Sequence, residues 1–170
     1  ADNPVRGLTT LATALMDPAL DSGTPQFPAT NLEITSIDVG NPAPNVIPAQ
    51  ASLVFNIRFN DTWSVETLKA EIEWRLNDAA QNRQLRPGRD NPIQFELVWK
   101  GVPCQVFLTH DEKLIHTLSA SIAAVTGRTP ELSTTGGTSD ARFIKSYCPV
   151  VEFGLVGQTM HMVDERVAVT

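Results

Sequence analysis

The chain has 170 residues, 42% of them hydrophobic and 19% charged, which predicts a soluble globular protein of one ordinary domain or two small ones. A net charge of −6 without any basic block argues against a nucleic-acid partner. No apolar run reaches the roughly 20 residues of a membrane-spanning helix, and the first residues form no signal peptide, so no membrane is expected.

The two cysteines, Cys104 and Cys148, lie far apart in the sequence. Two such cysteines suit a reducing compartment better than a disulfide scaffold, so we expect a cytoplasmic protein with two buried free thiols. Neither belongs to a Cys-x-x-Cys pattern, which excludes a zinc ribbon.

The first predicted elements are a helix and a strand. Asn3 and Pro4 are residue types of an N-cap and a first helical position, and Asp17 with the following proline ends the apolar helical spacing. After a loop rich in glycine and proline, residues 32–39 are predicted as a strand. Their apolar phase slips midway, which predicts a β-bulge near Thr35 and Ser36.

A second strand, a helix and a third strand follow. Apolar residues occupy every second position from 51 to 59, so Asn56 and Arg58 are expected on the face opposite to the core. Ser64 is the predicted cap of the next helix. Residues 93–99 alternate again and are predicted as a strand.

The order helix, strand, strand, helix, strand becomes β-α-β-β-α-β when one strand is added before it. The fold class predicted for residues 1–101 is therefore α/β (α+β), a ferredoxin-like unit lacking its first strand. Such a unit is a plausible dimerisation module.

Residues 102–170 have a different pattern. Asp111 is expected to cap a helix that Gly127 ends, and Val150–Phe153 is predicted as a buried strand of an α/β sheet. Too few strands are predicted to close such a sheet. These residues are therefore expected to be the C-terminal part of a larger domain.

The run from Ser133 to Phe143 contains Gly136-Gly137, several hydroxyl groups and Arg142. Adjacent glycines let a ligand approach the backbone, and the N–H groups before a helix can bind an anion. A guanidinium suits a carboxylate or a phosphate. The alternative is a tight turn with a serine or threonine cap.

Three further residues have both a functional and an ordinary interpretation. His161 follows a glycine-rich stretch after a predicted strand and could ligate zinc, or it could be a surface histidine. Arg58 lies on an open strand face that could simply be solvated. Asn45 lies in a proline-rich loop, where its side chain could bond its own backbone.

Three segments together resemble one family. They are 45–59, 135–143 with its Gly-Gly-Thr-Ser-Asp run, and 151–165 with its Thr-Met-His sequence. In these segments the chain resembles the bacterial succinyl-diaminopimelate desuccinylases, zinc amidohydrolases of the aminoacylase/carboxypeptidase superfamily. The resemblance covers almost the whole chain.

This resemblance implies a homodimer formed through a lid domain. It also implies hydrolysis of N-succinyl-LL-2,6-diaminopimelate, a reaction of lysine and diaminopimelate biosynthesis. The attacking water is activated by two zinc ions, and cobalt can substitute for zinc. It also implies His161 as a metal ligand. Residues implied to bind the dicarboxylic amino-acid substrate are Asn45, Arg58, Gly137, Thr138, Ser139 and Arg142.

The family's catalytic glutamate and its other metal ligands have no counterpart in these 170 residues. We therefore expect a fragment with no catalytic residue of its own, no tightly bound metal and no hydrolytic activity. The alternatives are a non-catalytic dimerisation module and a sibling zinc aminoacylase or dipeptidase.

Overall fold

The computed structural model describes residues 3–82, 91–134, 139–154 and 157–167. The chain divides into two compact units, one of Ala1–Phe107 with Ser133–Gly136 and one of Leu108–Leu132 with Gly137–Thr170. The described part of the first unit contains two helices and two strands, and that of the second contains two helices. Their bounds are α1 Pro4–Met16, β1 Asn31–Asp38, β2 Ser52–Arg58, α2 Val65–Gln81, α3 Glu112–Thr126 and α4 Ala141–Ile144.

Helix α1 begins and ends where the sequence predicts. The Asn3 side chain accepts a hydrogen bond of 3.0 Å from the Val5 N–H, and Pro4 occupies the first helical position. At the other end the Asp17 N–H donates to the Thr13 carbonyl at 2.9 Å. The prediction that this helix stops at Asp17 is confirmed.

Strands β1 and β2 form an antiparallel hairpin with an irregular register. Ile34 pairs with Phe55 and Ser36 pairs with Val54, so Thr35 is the extra residue of a β-bulge. The Thr35 hydroxyl donates to the Val54 carbonyl at 3.3 Å. The predicted bulge is confirmed.

Helix α2 has a capping box that the sequence shows only in part. The Ser64 side chain accepts from the Thr67 N–H at 3.1 Å, and the Ser64 N–H donates to the Thr67 hydroxyl at 2.9 Å. Ser64 was expected as the cap, whereas the reciprocal bond uses threonine in place of the usual glutamate or glutamine.

The core of the first unit lies between the two helices and one face of the hairpin. Ile72 is fully buried, and side chains of β1 and β2 pack against the same cluster. The buried members of this core are Leu11, Leu15, Leu68, Ile72, Leu76, Ala79 and Ala80.

Arg75 is a buried cation within this helical layer. Its Nε donates to the Glu71 carboxylate at 2.8 Å, and its terminal nitrogens donate to the carbonyls of Pro18 and Ala19. Each of these bonds is charge-assisted. Arg75 therefore ties α2 to the chain that follows α1.

Residues 93–99 differ from their prediction. They contain no helix, turn or bend and belong to no strand ladder, although Ile93 and Leu97 pack against the core. The alternating pattern correctly places Ile93 and Leu97 on the core, whereas Phe95 and Trp99 are exposed, and a strand also needs a neighbouring backbone. Among the described residues none bonds to the backbone from 94 to 99.

The structure therefore confirms a mixed α/β unit with a two-stranded antiparallel sheet. The full ferredoxin-like order stays a prediction, because it requires one more strand between β2 and residues 93–99. Of the helices in the described ranges, none combines the length and apolar character needed to cross a membrane.

The second unit is sparsely packed in its described part. The Asp111 carboxylate accepts from the Leu114 N–H at 2.7 Å, and Gly127 ends α3 in the left-handed conformation with φ 69°. Both predicted ends of α3 are confirmed. Its apolar stripe is nevertheless not buried, so amphipathic spacing predicts the helix and a face but not what covers that face.

Two predictions about burial are wrong. Val150–Phe153 forms no strand and Phe153 is 63% exposed, since no neighbouring strand among the described residues pairs with it. Cys148 is exposed and Cys104 is half-buried, so neither cysteine is buried as predicted. The thiols are free, as expected.

Candidate functional site

Arg58 is the last residue of β2 and lies on the open face of the hairpin. Leu53, Phe55 and Ile57 point to the core, so the alternate residues, including Arg58, are exposed. Its register partner on β1 is Asn31. The strand thus presents one guanidinium on a polar face, in agreement with the predicted orientation.

The chain immediately after Arg58 is held by a polar cluster around Asp21. Oδ1 of Asp21 accepts from Asn60 Nδ2 at 2.7 Å and from the backbone N–H groups of Gly23 and Thr30 at 2.8 and 3.0 Å. Oδ2 accepts from the Trp63 indole N–H at 2.8 Å. The Asp21 cluster, as we call these five residues, joins the start of β1, the end of β2 and the approach to α2.

The cluster changes the acidity of its carboxylate. Burial acts to raise the pKa of Asp21, but the hydrogen bonds from Thr30, Trp63 and Gly23 stabilise the charged form and hold the pKa well below its ordinary value. Asp21 therefore stays ionised at neutral pH. It positions the end of the strand that carries Arg58.

Sequence reasoning missed this cluster. The only local signal was Asp21 two residues before Gly23, which is typical of a turn in which the aspartate bonds a nearby N–H. Gly23 is required there, because its φ is 86° and a Cβ would lie 2.9 Å from the Phe27 carbonyl oxygen. Asn60 and Trp63 are too distant in sequence to be linked to Asp21 by any pattern.

Asn45 lies at the exposed tip of the loop between the strands. The side chain that bonds to the backbone of this loop is that of Asn41 rather than Asn45. Its Nδ2 donates to the Val46 carbonyl at 2.7 Å. The Val46 N–H in turn donates to the Ala43 carbonyl at 3.3 Å. Asn45 itself is exposed, and no hydrogen bond of its side chain to a described residue is seen.

An open cleft lies at the base of this loop, lined by residues 38–41 and 48–50. Its charged group is the Asp38 carboxylate, and it contains no basic side chain. Such a cleft does not suit an anionic ligand.

In the second unit, Ser139 and Arg142 flank the start of α4. The Ser139 hydroxyl accepts from the Ala141 N–H at 3.0 Å. The Arg142 guanidinium carbon lies 4.7 Å from the centre of the Phe143 ring, and its buried Nε has no partner within the described ranges. Gly137 and Thr138, the other predicted residues of this loop, lie outside the described residues.

Helix α4 is short and exposed. It has four residues, and Phe143 and Ile144 are 58% and 44% exposed. Only Ala141 is buried there. The described part of the loop therefore presents its arginine on a short, accessible turn.

His161 lies in an exposed turn with a left-handed backbone, φ 61°. The turn is closed by Thr159, whose hydroxyl donates to the Arg166 carbonyl at 2.7 Å and accepts from the Arg166 N–H at 2.9 Å. Histidine is among the residues that tolerate this conformation. The imidazole of His161 is thus exposed on a turn that two hydrogen bonds close.

The residues present do not form a metal site on their own. Among the described residues, no group of three or more histidine, cysteine, aspartate or glutamate side chains could hold an ion. A structural or catalytic zinc needs at least three protein ligands. His161 could therefore supply only one.

The predicted site residues that the structure describes are divided between the two units. Asn45 and Arg58 belong to the first unit, and Ser139, Arg142 and His161 to the second. Across the described ranges, no hydrogen bond joins Asn45 to Arg58, or His161 to the other two.

Residues 1–84 match the family model described as a peptidase dimerisation domain. The matched segment contains α1, β1, β2 and α2, together with Asn45, Arg58 and the whole Asp21 cluster. The match supports the M20 family of zinc peptidases, a metal-dependent hydrolase as the parent protein, and homodimer formation by this domain.

Proposed function

We propose that this chain is the dimerisation lid and C-terminal catalytic segment of a cytoplasmic zinc amidohydrolase. The proposed reaction converts N-succinyl-LL-2,6-diaminopimelate to succinate and LL-2,6-diaminopimelate, a step in lysine biosynthesis. The observation that carries the proposal is the dimerisation-domain match over residues 1–84. The choice of substrate rests on the arginines and on the Gly-Gly-Thr-Ser-Asp run.

The substrate carries several carboxylates, and the chain offers suitable partners in both units. Arg58 presents a guanidinium on the open sheet face. The buried Nε–H of Arg142 could donate a hydrogen bond to a carboxylate oxygen. Ser139, with Gly137 and Thr138, would add hydroxyl and N–H donors, and Asn45 would add an amide from the loop tip. These residues would bind and orient the substrate.

Zinc would supply an activated water, and its other ligands would lie on parts of the enzyme beyond these 170 residues. We assign His161 as one ligand only. The chain by itself is therefore expected to be inactive. Release of succinate by the purified chain in the presence of zinc or cobalt would contradict that assignment.

Arg58 provides a test of the substrate. In the full-length enzyme, Arg58→Ala is expected to lower kcat/KM for the succinylated substrate about 100-fold, because one charged partner of a carboxylate is lost. Arg58→Lys should recover part of the lost kcat/KM. Asn56→Ala serves as the matched control, because Asn56 lies two residues before Arg58 on the same face of β2.

The same assay separates the sibling enzymes. Faster hydrolysis of acetylated amino acids or of dipeptides than of the succinylated substrate would assign the full-length enzyme to an aminoacylase or dipeptidase. An Arg58→Ala variant with unchanged kcat/KM would remove Arg58 from the substrate site.

The dimer can be tested on the chain as it stands. Sedimentation equilibrium is expected to give twice the monomer mass of 18.5 kDa at micromolar concentration. A monomer throughout this range would contradict dimerisation by this domain. If this chain dimerises and the full-length protein has no hydrolytic activity, the result would favour a non-catalytic dimerisation module instead.

A further inference from the structure

We propose that Asn60 is a positioning residue that fixes the backbone of Arg58, so that the guanidinium is held ready for a carboxylate of the substrate. This inference rests on the proposed function, because that function assigns the substrate contact to Arg58. Asn60 follows the last residue of β2 by two positions and is 2% exposed. A buried polar side chain therefore lies two residues beyond an exposed cation.

The hydrogen-bond donors of Asn60 are all used inside the first unit. Its Nδ2 donates to Asp21 Oδ1 at 2.7 Å and to the Pro28 carbonyl at 3.0 Å, and its N–H donates to the Thr30 hydroxyl at 3.2 Å. Its Oδ1 accepts from the Thr62 N–H at 2.9 Å. No donor of Asn60 remains for a substrate, so its effect on binding must pass through the chain that it holds.

The bond between Asn60 and Thr30 lies just beyond the last pair of the hairpin. Asn31 and Arg58 are the final register partners of β1 and β2, and Thr30 directly precedes Asn31. Chain ends open most easily where no further bond follows. The Asn60 N–H continues the connection between the two chains past Arg58. The backbone of Arg58 is therefore held on both sides.

This anchoring predicts which kinetic constant responds to its loss. Phe59, between Arg58 and Asn60, packs against the core, so the turn out of β2 is also held by an apolar contact. A binding group whose backbone is already ordered loses less entropy when the ligand binds. Loosening the Asn60 junction should therefore weaken substrate binding and raise KM, with little effect on kcat.

Thr30→Val tests this mechanism with little change in side-chain volume. Valine removes the hydroxyl that accepts from the Asn60 N–H, while the Thr30 N–H can still donate to Asp21. In the full-length enzyme, KM for the succinylated substrate is expected to rise about fivefold, with kcat changed less than about twofold. Thr30→Ser should restore KM, because serine keeps the hydroxyl. Leu15→Ala, in the core on α1, is the stability control and should leave KM unchanged.

A double-mutant cycle separates positioning from a general loss of stability. If Thr30 and Asn60 act through Arg58, Thr30→Val should raise KM less than about 1.5-fold in an Arg58→Ala background. The same fivefold rise in both backgrounds would overturn the proposal and would leave the substrate assignment of Arg58 intact.

Nitrogen-15 relaxation of the 170-residue chain tests the position of Arg58 without any substrate. The order parameter of the Arg58 backbone N–H is expected to fall from about 0.85 toward about 0.6 in Thr30→Val, and to stay unchanged in Leu15→Ala. An unchanged value in Thr30→Val would overturn the proposal whatever the enzyme hydrolyses. A lowered value, in an enzyme whose full-length form does not hydrolyse the succinylated substrate, would refute the proposed function but support the positioning of Arg58 by Asn60.

Discussion

Asp21→Asn is expected to lower the free energy of unfolding of the first unit by about 3 kcal/mol, because charge-assisted hydrogen bonds are lost and a buried donor is left unpaired. Oδ1 accepts three hydrogen bonds and Oδ2 accepts the Trp63 indole N–H. An asparagine has one oxygen, so its NH₂ group must face at least one of these donors.

The effect should depend on pH in a defined direction. The pKa of Asp21 is lower in the folded state than its ordinary value of 3.8, so ionised Asp21 stabilises the fold at every pH well above that value. As the pH falls below 3.8 the unfolded chain takes up the proton first, and this stabilisation decreases. The gap between wild type and Asp21→Asn should therefore narrow between pH 7 and pH 3.

Urea unfolding followed by tryptophan fluorescence measures this gap. All three tryptophans, at positions 63, 74 and 99, belong to the first unit, so the signal reports on that unit alone. Asp61→Asn, at an exposed turn, removes the same charge without disturbing the cluster. An Asp21→Asn variant as stable as Asp61→Asn at pH 7 would show that the cluster contributes nothing.

Ile72→Ala is expected to lower the free energy of unfolding further, by about 4 kcal/mol, because the substitution removes buried methylene groups and leaves a cavity. Ile72 is 0% exposed and lies at the centre of the contact between the helices and the hairpin. The surrounding side chains come from separate elements, so they cannot all move inward to refill the space.

Ile37→Ala is the matched control for Ile72→Ala, because Ile37 on β1 is 61% exposed. Its loss should be under about 1 kcal/mol, since little buried area disappears. Both variants are compared with wild type in the same urea assay. Equal losses for the two isoleucines would mean that the described core does not stabilise the unit.

Local patterns in the first unit were sufficient to predict its helices and hairpin. Capping residues fixed the start of α1 and α2, and the phase slip located the bulge at Thr35. These features depend on residues a few positions apart. Residues 93–99 show the limit, since alternation places Ile93 and Leu97 on the core but does not show whether a neighbouring backbone is present.

The candidate site was less predictable for the same reason. The exposure of Arg58 follows from alternation along a single strand, so it could be predicted directly from the sequence. The bond made by Asn41 rather than Asn45 depends on the path of a proline-rich loop, which no spacing determines. The apolar stripe of α3 could be recognised, but its burial depends on whatever packs against it.

The Asp21 cluster also constrains the order in which this chain can acquire its structure during synthesis. Asp21 is made 39 positions before Asn60 and 42 before Trp63, so during elongation its carboxylate has at first only Gly23 and Thr30 as partners among the cluster. A nascent chain is extended from its N-terminus. The Asp21 carboxylate therefore cannot make its bonds to Asn60 and Trp63 until the chain leading into α2 has left the ribosome.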